Sequence, residues 1–373
     1  MINIQDYNYL LPQKNLPLEP AVPRDSSKLF IYDTTVDKII FDRFNNLDKY
    51  LPKDSFLVLN DTKVLPARVK MKKTSGGKVI ILFLINTPSV IPSEVEGSFI
   101  QGLVDRKINI GDKLFFKDGN FIEAISQKEH IFEFKFNFSK EKLFSILQKF
   151  GNMPIPLYLK KSTLSRDELM EKYQTIFAKT SPPGCDLASA AAPTASLHFT
   201  RRVLKKLEKK NIEKYFVTLY VGLGTFAPIT DNNIKQKKLH EEYFEIDKST
   251  VQSINRLYNE GKKLVAVGTT VARTLESKNS ARQFLSQENK VKKLPLPRHN
   301  IIGKTDLFIF PPYDFRMVDI VITNFHLPKS SLMMLVEAFL QHKKAKRHLV
   351  DLYNIAIKNS FRFYSFGDAM LIL

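Results

Sequence analysis

The feature that most constrains the fold is a stretch from residue 69 to about residue 138 whose pattern is almost wholly that of short β-strands. Gly, Asp and Asn turns separate the apolar runs of this stretch. The runs cover residues 78–85, 97–104, 113–116, 121–125 and 130–138. Five or six short strands without a helix predict a small antiparallel β-barrel or sandwich.

The pattern changes after Gly151, where buried strands begin to alternate with helices. Predicted strands cover residues 215–221, 263–267, 307–310 and 318–323, and predicted helices cover residues 201–210, 249–260, 271–277 and 331–342. Such alternation is typical of an α/β layer. The sequence therefore predicts the α/β fold class, with a larger α/β domain (1–68 and 139–373) that contains an inserted small antiparallel β-barrel domain (69–138).

Two shorter segments complete this outline. Residues 139–150 are predicted to form a helix, because their apolar positions recur at helical spacing. Residues 86–97, NTPSVIPSEVEG, contain prolines that a central strand does not tolerate, so we expect an exposed loop insertion there.

Composition narrows the class of protein. Of the 373 residues, 43% are hydrophobic and 25% are charged, which suits a globular chain with a large core. No apolar run approaches the roughly 20 residues that a membrane-spanning helix needs, and residues 1–15 do not have the pattern of a signal peptide. A single cysteine, Cys185, excludes an internal disulfide and a thiolate metal site. We therefore expect a cytoplasmic protein.

The net charge of +19 has two interpretations. One is a polyanionic partner such as a nucleic acid, bound through phosphate neutralisation and counterion release. The other is a lysine-rich solvated surface that binds nothing in particular. The charge alone leaves both open.

Two polar loops follow predicted buried strands, which is where ligands bind in α/β sheets. In residues 265–270, VAVGTT, a glycine and two threonines precede a helix and offer amides and hydroxyls to an anion, although an ordinary N-cap has the same pattern. In residues 324–329, NFHLPK, Asn324, His326 and Lys329 form a polar cluster, and the alternative is a capped turn with a structural histidine.

Two further segments are candidates. In residues 190–200, AAAPTASLHFT, small residues permit close approach to the backbone and His198 can titrate near neutrality, unless it is a hydrogen-bonded core residue. The helix at 201–210 directs basic side chains outward, towards solvent or towards phosphates. The glycine-containing run 222–228, GLGTFAP, lacks the third glycine of a dinucleotide fingerprint, which disfavours a Rossmann or methyltransferase loop.

These segments also form an ordered pattern over nearly the whole chain. They comprise residues 61–68 (DTKVLPAR), 151–156 (GNMPIP), 173–178 (YQTIFA), 191–195 (AAPTA), 197–200 (LHFT), 221–226 (VGLGTF), 240–242 (HEE), 267–270 (VGTT), 273–277 (RTLES), 323–330 (TNFHLPKS) and 361–370 (FRFYSFGDAM). With these motifs the chain resembles the S-adenosylmethionine:tRNA ribosyltransferase-isomerase family of queuosine biosynthesis. The resemblance implies a small β-barrel domain inserted in a larger α/β domain.

The resemblance also implies a reaction. The ribosyl part of S-adenosylmethionine is moved onto 7-aminomethyl-7-deazaguanine at the wobble position of a tRNA and isomerised, epoxyqueuosine forms, and adenine and methionine leave. The implied partners are tRNA and S-adenosylmethionine, with no membrane and no metal. No cofactor is implied, because S-adenosylmethionine is a consumed substrate.

This chemistry needs a base beside the sulfonium, an acid for the departing adenine, a neutral amine, and a pocket for the adenine and the methionine carboxylate. We infer His198, His240, Glu242 and His326 as catalytic candidates for proton transfer. Thr269, Thr270 and Arg273 suit an anion. The other substrate-binding candidates are Thr194, Gly222, Gly224, Thr225, Asn324, Lys329 and Asp368.

The chain departs from the family pattern at three positions. Ser196 and Pro312 stand where glycine is expected, and Tyr220 stands where histidine is expected; residues 184–188 also look inserted. If position 196 needs a left-handed backbone, serine there weakens S-adenosylmethionine binding by roughly five- to tenfold. The alternatives are a catalytically decayed homologue that only binds tRNA and an S-adenosylmethionine-dependent methyltransferase.

Overall fold

A computed structural model describes residues 3–85, 98–179, 188–222, 229–277 and 300–373. The predicted loop insertion at 86–97 lies outside these ranges, as do residues 184–187 of the apparent insertion at 184–188. The strands of the described residues form a nine-stranded sheet and a closed six-stranded barrel.

The strands are β1 (Lys28–Asp33), β2 (Lys38–Arg43), β3 (Ser55–Asn60), β4 (Arg68–Lys73), β5 (Lys78–Phe83), β6 (Ser98–Val104), β7 (Lys113–Phe115), β8 (Phe121–Lys128), β9 (Ile131–Phe136), β10 (Glu213–Tyr220), β11 (Lys238–Ile246), β12 (Lys263–Val267), β13 (Ile301–Leu307), β14 (Ile320–Asn324) and β15 (Ala369–Ile372). The α-helices are α1 (Lys140–Phe150), α2 (Arg166–Lys172), α3 (Arg201–Lys209), α4 (Asp231–Gln236), α5 (Lys248–Asn259), α6 (Thr269–Glu276), α7 (Ser331–His342) and α8 (Leu349–Lys358). Short 3-10 helices include Arg24–Ser26, Phe44–Lys49 and Thr194–His198.

The large sheet has the strand order β13-β11-β10-β3-β12-β14-β15-β1-β2. Its four central strands, β10, β3, β12 and β14, are mutually parallel. They are built from nearly continuous apolar residues, as expected for parallel strands with both faces covered. Their carboxyl ends therefore lie along one edge of the sheet, at Asn60, Tyr220, Val267 and Asn324.

Helices cover both faces of this sheet. On one face, apolar residues of α5, α6, α7 and α8 pack against alternate strand positions such as Val58 and Ala266. On the other face, Val203 and Leu207 of α3 pack against Leu57 and Val265. Thr200 begins α3 as its N-cap, because its side chain accepts a hydrogen bond from the Val203 amide at 3.3 Å. The sheet is thus the middle layer of an α/β sandwich.

The barrel closes in the order β4-β5-β6-β9-β8-β7, with every pairing antiparallel. It has an apolar core of its own, against which Leu143 and Leu147 of α1 pack. Arg68 and Asn152 exchange backbone hydrogen bonds of 3.2 and 2.8 Å where the chain enters and leaves the barrel region. The predicted fold class, α/β with an inserted antiparallel β-barrel, is confirmed; the predicted domain limits at 68/69 and 138/139 stay a prediction.

One predicted strand is wrong. Residues 307–310 were expected to form a strand, but β13 pairs with β11 from Ile301 to Leu307 and ends there. The chain then runs into Pro311 and Pro312, which have no amide proton to donate to a ladder. The apolar residues Phe308 and Ile309 are instead buried outside any strand.

Candidate active site

A pocket lies at the carboxyl edge of the parallel strands. Its cavity volume is about 80 Å³. Its walls are formed by the 3-10 helix Leu157–Lys161, the start of the 3-10 helix Thr194–His198 with the residues before it, the residue after β10, the β12–α6 junction, the end of β14 with the loop into α7 and the start of that helix, and the chain before β15. The lining residues are Tyr158, Ala192, Pro193, Thr194, Ala195, Val221, Gly268, Thr269, Thr270, Thr323, Asn324, Phe325, His326, Leu327, Ser330, Leu332, Tyr364 and Ser365. The pocket therefore brings together five predicted site residues: Thr194, Thr269, Thr270, Asn324 and His326.

The start of α6 forms one side of this pocket. Gly268 caps the helix with φ of +98°, a conformation that glycine adopts without strain, and its amide donates to the Ile322 carbonyl at 2.7 Å. The amides of Thr269 and Thr270 are in the first turn, where a helix has no acceptor for its own amides. Together with the positive end of the helix dipole they favour an anionic group.

The end of β14 and the β14–α7 loop also line the pocket. The Asn324 side chain is 2% exposed, and its Nδ2 donates to the Tyr364 carbonyl at 3.0 Å. Its Oδ1 is buried without a hydrogen-bond partner among the described residues. Burying an unpaired amide oxygen costs free energy, so such a group beside a pocket is suited to accept a hydrogen bond from a bound molecule.

His326 is held rigidly in the same loop. Its amide donates to the Tyr353 hydroxyl at 3.0 Å and its carbonyl accepts from the Tyr9 hydroxyl. The ring Nε2 shares a hydrogen bond of 2.9 Å with Thr323 Oγ1. Burial lowers the pKa of His326 to about 3, so the imidazole is neutral at physiological pH.

Two tyrosines that sequence reasoning missed complete the wall. The Tyr158 hydroxyl donates to Ser365 Oγ at 2.5 Å and accepts from the Ser365 amide at 2.8 Å. The rings of Tyr158 and Tyr364 lie 5.0 Å apart between centroids. Residues 361–370 were part of the family pattern, so Tyr364 had a sequence signal, but nothing in the sequence marked Tyr158. The pair offers an aromatic surface to a flat heterocycle.

Glu242 and Arg273 do not line the pocket. They form a buried ion pair with each other, and Glu242 Oε1 accepts a hydrogen bond from the Gly222 amide at 2.8 Å. Burial lowers the pKa of Arg273 to about 10, which still leaves the guanidinium charged at neutral pH. In this structure the two side chains link the chain just beyond β10 to α6, because Gly222 lies two residues after the end of that strand.

The other histidine candidates lie elsewhere. His198 is buried outside the pocket lining, with Nδ1 bonded to Ser27 Oγ at 2.8 Å and its ring 5.0 Å from that of Phe44. Burial, with the charges of Arg362 and Arg24, lowers its pKa to about 3. His240 is exposed on β11.

Two further predicted site residues, Lys329 and Asp368, make hydrogen bonds with backbone groups of the protein. Lys329 lies in the β14–α7 loop with φ of +58°, and its amide donates to the Tyr7 carbonyl at 2.9 Å. Asp368 is buried and accepts hydrogen bonds from the amides of Lys28 at 3.0 Å and Arg362 at 2.8 Å. Gly224 and Thr225 lie outside the described residues, so their predicted role stays a prediction.

The expectation of a left-handed backbone at Ser196 is wrong. Ser196 lies inside the 3-10 helix Thr194–His198, and it is not among the described non-glycine residues with positive φ. Serine therefore causes no strain at this position. The two other departures from the family pattern, Tyr220 and Pro312, are buried beside β11 and exposed in a loop, respectively, and neither lines the described pocket.

Two other features are absent from the described residues. No group of three or more His, Cys, Asp or Glu side chains is placed there to hold a metal ion. No helix of that part of the chain has the length and apolar character to cross a bilayer.

Fold and pocket together define an α/β protein with an inserted β-barrel and a ligand site at the carboxyl edge of its parallel strands. The chain belongs to the family described as queuosine biosynthesis protein, which its residues 4–372 match. The resemblance predicted from the motifs is thereby confirmed.

Individual relatives agree. The chain is 39% identical over 377 residues to the S-adenosylmethionine:tRNA ribosyltransferase-isomerase of Carboxydothermus hydrogenoformans and 37% identical over 376 residues to that of Thermosipho melanesiensis, with 100% of both chains covered in each case. It is also similar to the crystal structure of S-adenosylmethionine tRNA ribosyltransferase from Thermotoga maritima. That match has a TM-score of 0.51 and 29% identity, and it covers 99% of this chain and 100% of the other.

Proposed function

We propose that this protein is an S-adenosylmethionine:tRNA ribosyltransferase-isomerase. It moves the ribosyl part of S-adenosylmethionine onto 7-aminomethyl-7-deazaguanine at the tRNA wobble position and isomerises it to epoxyqueuosine. One observation carries the proposal: motifs that are far apart in the sequence converge on a single pocket, at Thr194, Thr269, Asn324 and His326. Full-length identity of 36–39% to relatives of that name supports it.

The pocket has the groups to hold S-adenosylmethionine at both ends. The methionine carboxylate fits the amides and hydroxyls of Thr269 and Thr270 at the start of α6. The adenine fits against Tyr158 and Tyr364, and Asn324 Oδ1 is a suitable acceptor for its exocyclic amine. This orientation places the ribose between the two ends.

His326 is the proposed proton-transfer residue, since it is the histidine of the described pocket lining. With the proton on Nε2 and Thr323 Oγ1 as its acceptor, Nδ1 retains a lone pair that can take a proton from the carbon beside the sulfonium. The bonds from the ribosyl carbons to adenine, to the sulfonium sulfur and to the ring oxygen break. A C–N bond to the tRNA amine, the carbon–carbon bond that closes the carbocycle and the epoxide C–O bond form in their place. The carbon beside the sulfonium and the amine each lose a proton, of which one leaves with adenine and the other passes to solvent.

We further propose that the reaction uses no cofactor. The sulfonium of S-adenosylmethionine already supplies the activated C–H and the leaving group, so no external electron or metal ion is needed to balance the step. A tRNA substrate agrees with the cytoplasmic location that the cysteine usage predicts.

A direct assay tests the proposed function. The purified protein is incubated with S-adenosylmethionine and a tRNA that carries 7-aminomethyl-7-deazaguanine, and free adenine is measured by chromatography. Adenine should appear only when both substrates are present, and Asn324→Ala should raise KM for S-adenosylmethionine. Binding of tRNA without adenine release would instead support the decayed homologue.

A further inference from the structure

The basic residues of α3 form two rows that differ in their partners. The inner row, Arg202, Lys206 and Lys210, is tied to the protein. Arg202 makes a bidentate contact with Asp25 at 2.7 and 3.1 Å, Lys206 Nζ donates to the Asn45 carbonyl at 2.6 Å, and Lys210 Nζ donates to the Asp48 carbonyl. These three cations therefore hold α3 on the 3-10 helices Arg24–Ser26 and Phe44–Lys49.

The outer row, Arg201, Lys205 and Lys209, is different. All three side chains are exposed, and none of them forms an ion pair with a described residue. Spaced four residues apart, they repeat about every 6 Å along the helix axis. The acidic residue of the helix, Glu208, is engaged by Lys214 at 3.3 Å. The inner row therefore packs the helix onto the protein, whereas the outer row makes no ion pair within the part of the chain that the structure describes.

The topology places one end of the outer row near the pocket. The 3-10 helix Thr194–His198 contributes Thr194 and Ala195 to the pocket lining, and α3 begins only three residues after it. The chain then runs along α3 and enters β10 at Glu213, which is at the opposite edge of the sheet. The row thus extends away from the pocket edge, with Arg201 nearest to it.

We propose that the outer row of α3 binds the sugar–phosphate backbone of the tRNA whose modified base occupies the pocket. This inference rests on the proposed function, and it deepens it by assigning a docking surface to the tRNA. A row of exposed cations that pair with no described acidic residue complements a chain of phosphates, and its contacts fix the register of the RNA without reading its sequence. The other arginines and lysines of the helix contribute charge but are already neutralised or tied.

The test is tRNA binding over a range of salt concentrations. In the triple variant Arg201→Gln, Lys205→Gln, Lys209→Gln, the slope of log affinity against log salt should become shallower by roughly 2 to 3, since each lost phosphate contact removes about 0.7 to 0.9. KM for tRNA should rise by roughly tenfold or more, with kcat at saturating tRNA and the affinity for S-adenosylmethionine unchanged.

A matched control removes the same charge from elsewhere. Lys38, Lys53 and Lys358 are also exposed, and the triple change to glutamine there should leave both the salt slope and KM for tRNA as in the wild type. An unchanged slope in the α3 variant, or an equal loss in the control variant, would overturn the proposal. Row-dependent tRNA binding by a protein that releases no adenine would uphold this inference and contradict only the proposed function.

Discussion

Arg273 and Glu242 form an ion pair that is almost completely buried, and Glu242 also accepts a hydrogen bond from the Gly222 amide. Each was a candidate to act on the substrate, but each has its charge satisfied by the other. Because Glu242 holds the Gly222 amide and Arg273 holds Glu242, the pair positions the two residues that follow β10.

The pair predicts a large loss of stability when one partner is removed. Glu242→Gln and Arg273→Met should each lower the free energy of unfolding by about 3–5 kcal/mol, because a buried charge is left unpaired, whereas the double variant should recover part of this loss. Urea unfolding measures all three variants. The control Lys238→Gln breaks the exposed pair with Asp306 on the same sheet and should change stability little. Additive single effects would contradict this account.

His326 should matter far more for turnover than the other histidine candidates. His326→Gln is expected to lower kcat by roughly 10²- to 10⁴-fold while S-adenosylmethionine still binds, because a proton-transfer group is lost and the pocket is kept. Single-turnover assays with His240→Gln, an exposed control, should give the wild-type rate. Equal rates for both variants would rule out proton transfer by His326.

Substitution of Gly268 should have two effects. The positive φ of this residue makes any side chain there costly for stability, and its place in the pocket lining makes a side chain costly for ligand binding. Gly268→Ala places a side chain at φ of +98° and should lower stability by about 1–2 kcal/mol and raise KM for S-adenosylmethionine. Gly261 is a matched control: its φ is +75°, open space surrounds it, and it lies at the opposite edge of the sheet. Gly261→Ala should show the stability loss alone. A rise in KM for both would mean that strain, not the pocket, is responsible.

Substitutions of Ser196 test whether its backbone is helical, as in the 3-10 helix Thr194–His198, or left-handed. Because the backbone is helical there, Ser196→Gly should leave S-adenosylmethionine affinity unchanged and lower stability by about 0.5–1 kcal/mol. Ser196→Ala should be neutral or stabilising, since the buried Oγ has no partner among the described residues. Tighter binding in the glycine variant would revive the strained-loop hypothesis.

The two buried histidines should make the fold less stable in acid. Their folded-state pKa values of about 3 lie below the ordinary value of 6.5, so the unfolded chain binds more protons between these limits. The free energy of unfolding should therefore be at its full value above pH 6.5. Below that pH it should fall by roughly 1.4 kcal/mol per pH unit for each histidine. Urea unfolding at pH 7 and pH 5 measures this slope, which should be smaller in His198→Gln. An identical slope would contradict it.

Local patterns predicted the central strands well. β12 was predicted with its observed bounds, 263–267. The prediction succeeded because a short, continuous apolar run between a lysine and a glycine is typical of a buried strand in a parallel sheet. The same holds for α7, predicted at 331–342 and observed as Ser331–His342. The polar loops after β12 and β14 met in one pocket because parallel strands end at one edge.

The sequence did not predict features that depend on contacts between residues far apart in the chain. β11 reads KLHEEYFEI, a charged run that looks unlike a strand and depends on pairing with β10 and β13. Its register is irregular between Lys238 and Glu242, so His240 is exposed while Glu242, two residues on, is buried. No local pattern reveals that Glu242 faces Arg273, or that Tyr158 reaches the wall formed by Tyr364.

Transfer of the ribosyl group is tested most directly with two labels in one S-adenosylmethionine molecule, one in the ribose and one in the methyl group. After incubation with the precursor tRNA and the purified protein, the tRNA is digested to nucleosides and counted. Ribose label should enter epoxyqueuosine in an amount equal to the adenine released, and all methyl label should stay with methionine. Methyl label in the tRNA, or tRNA free of ribose label, would contradict it.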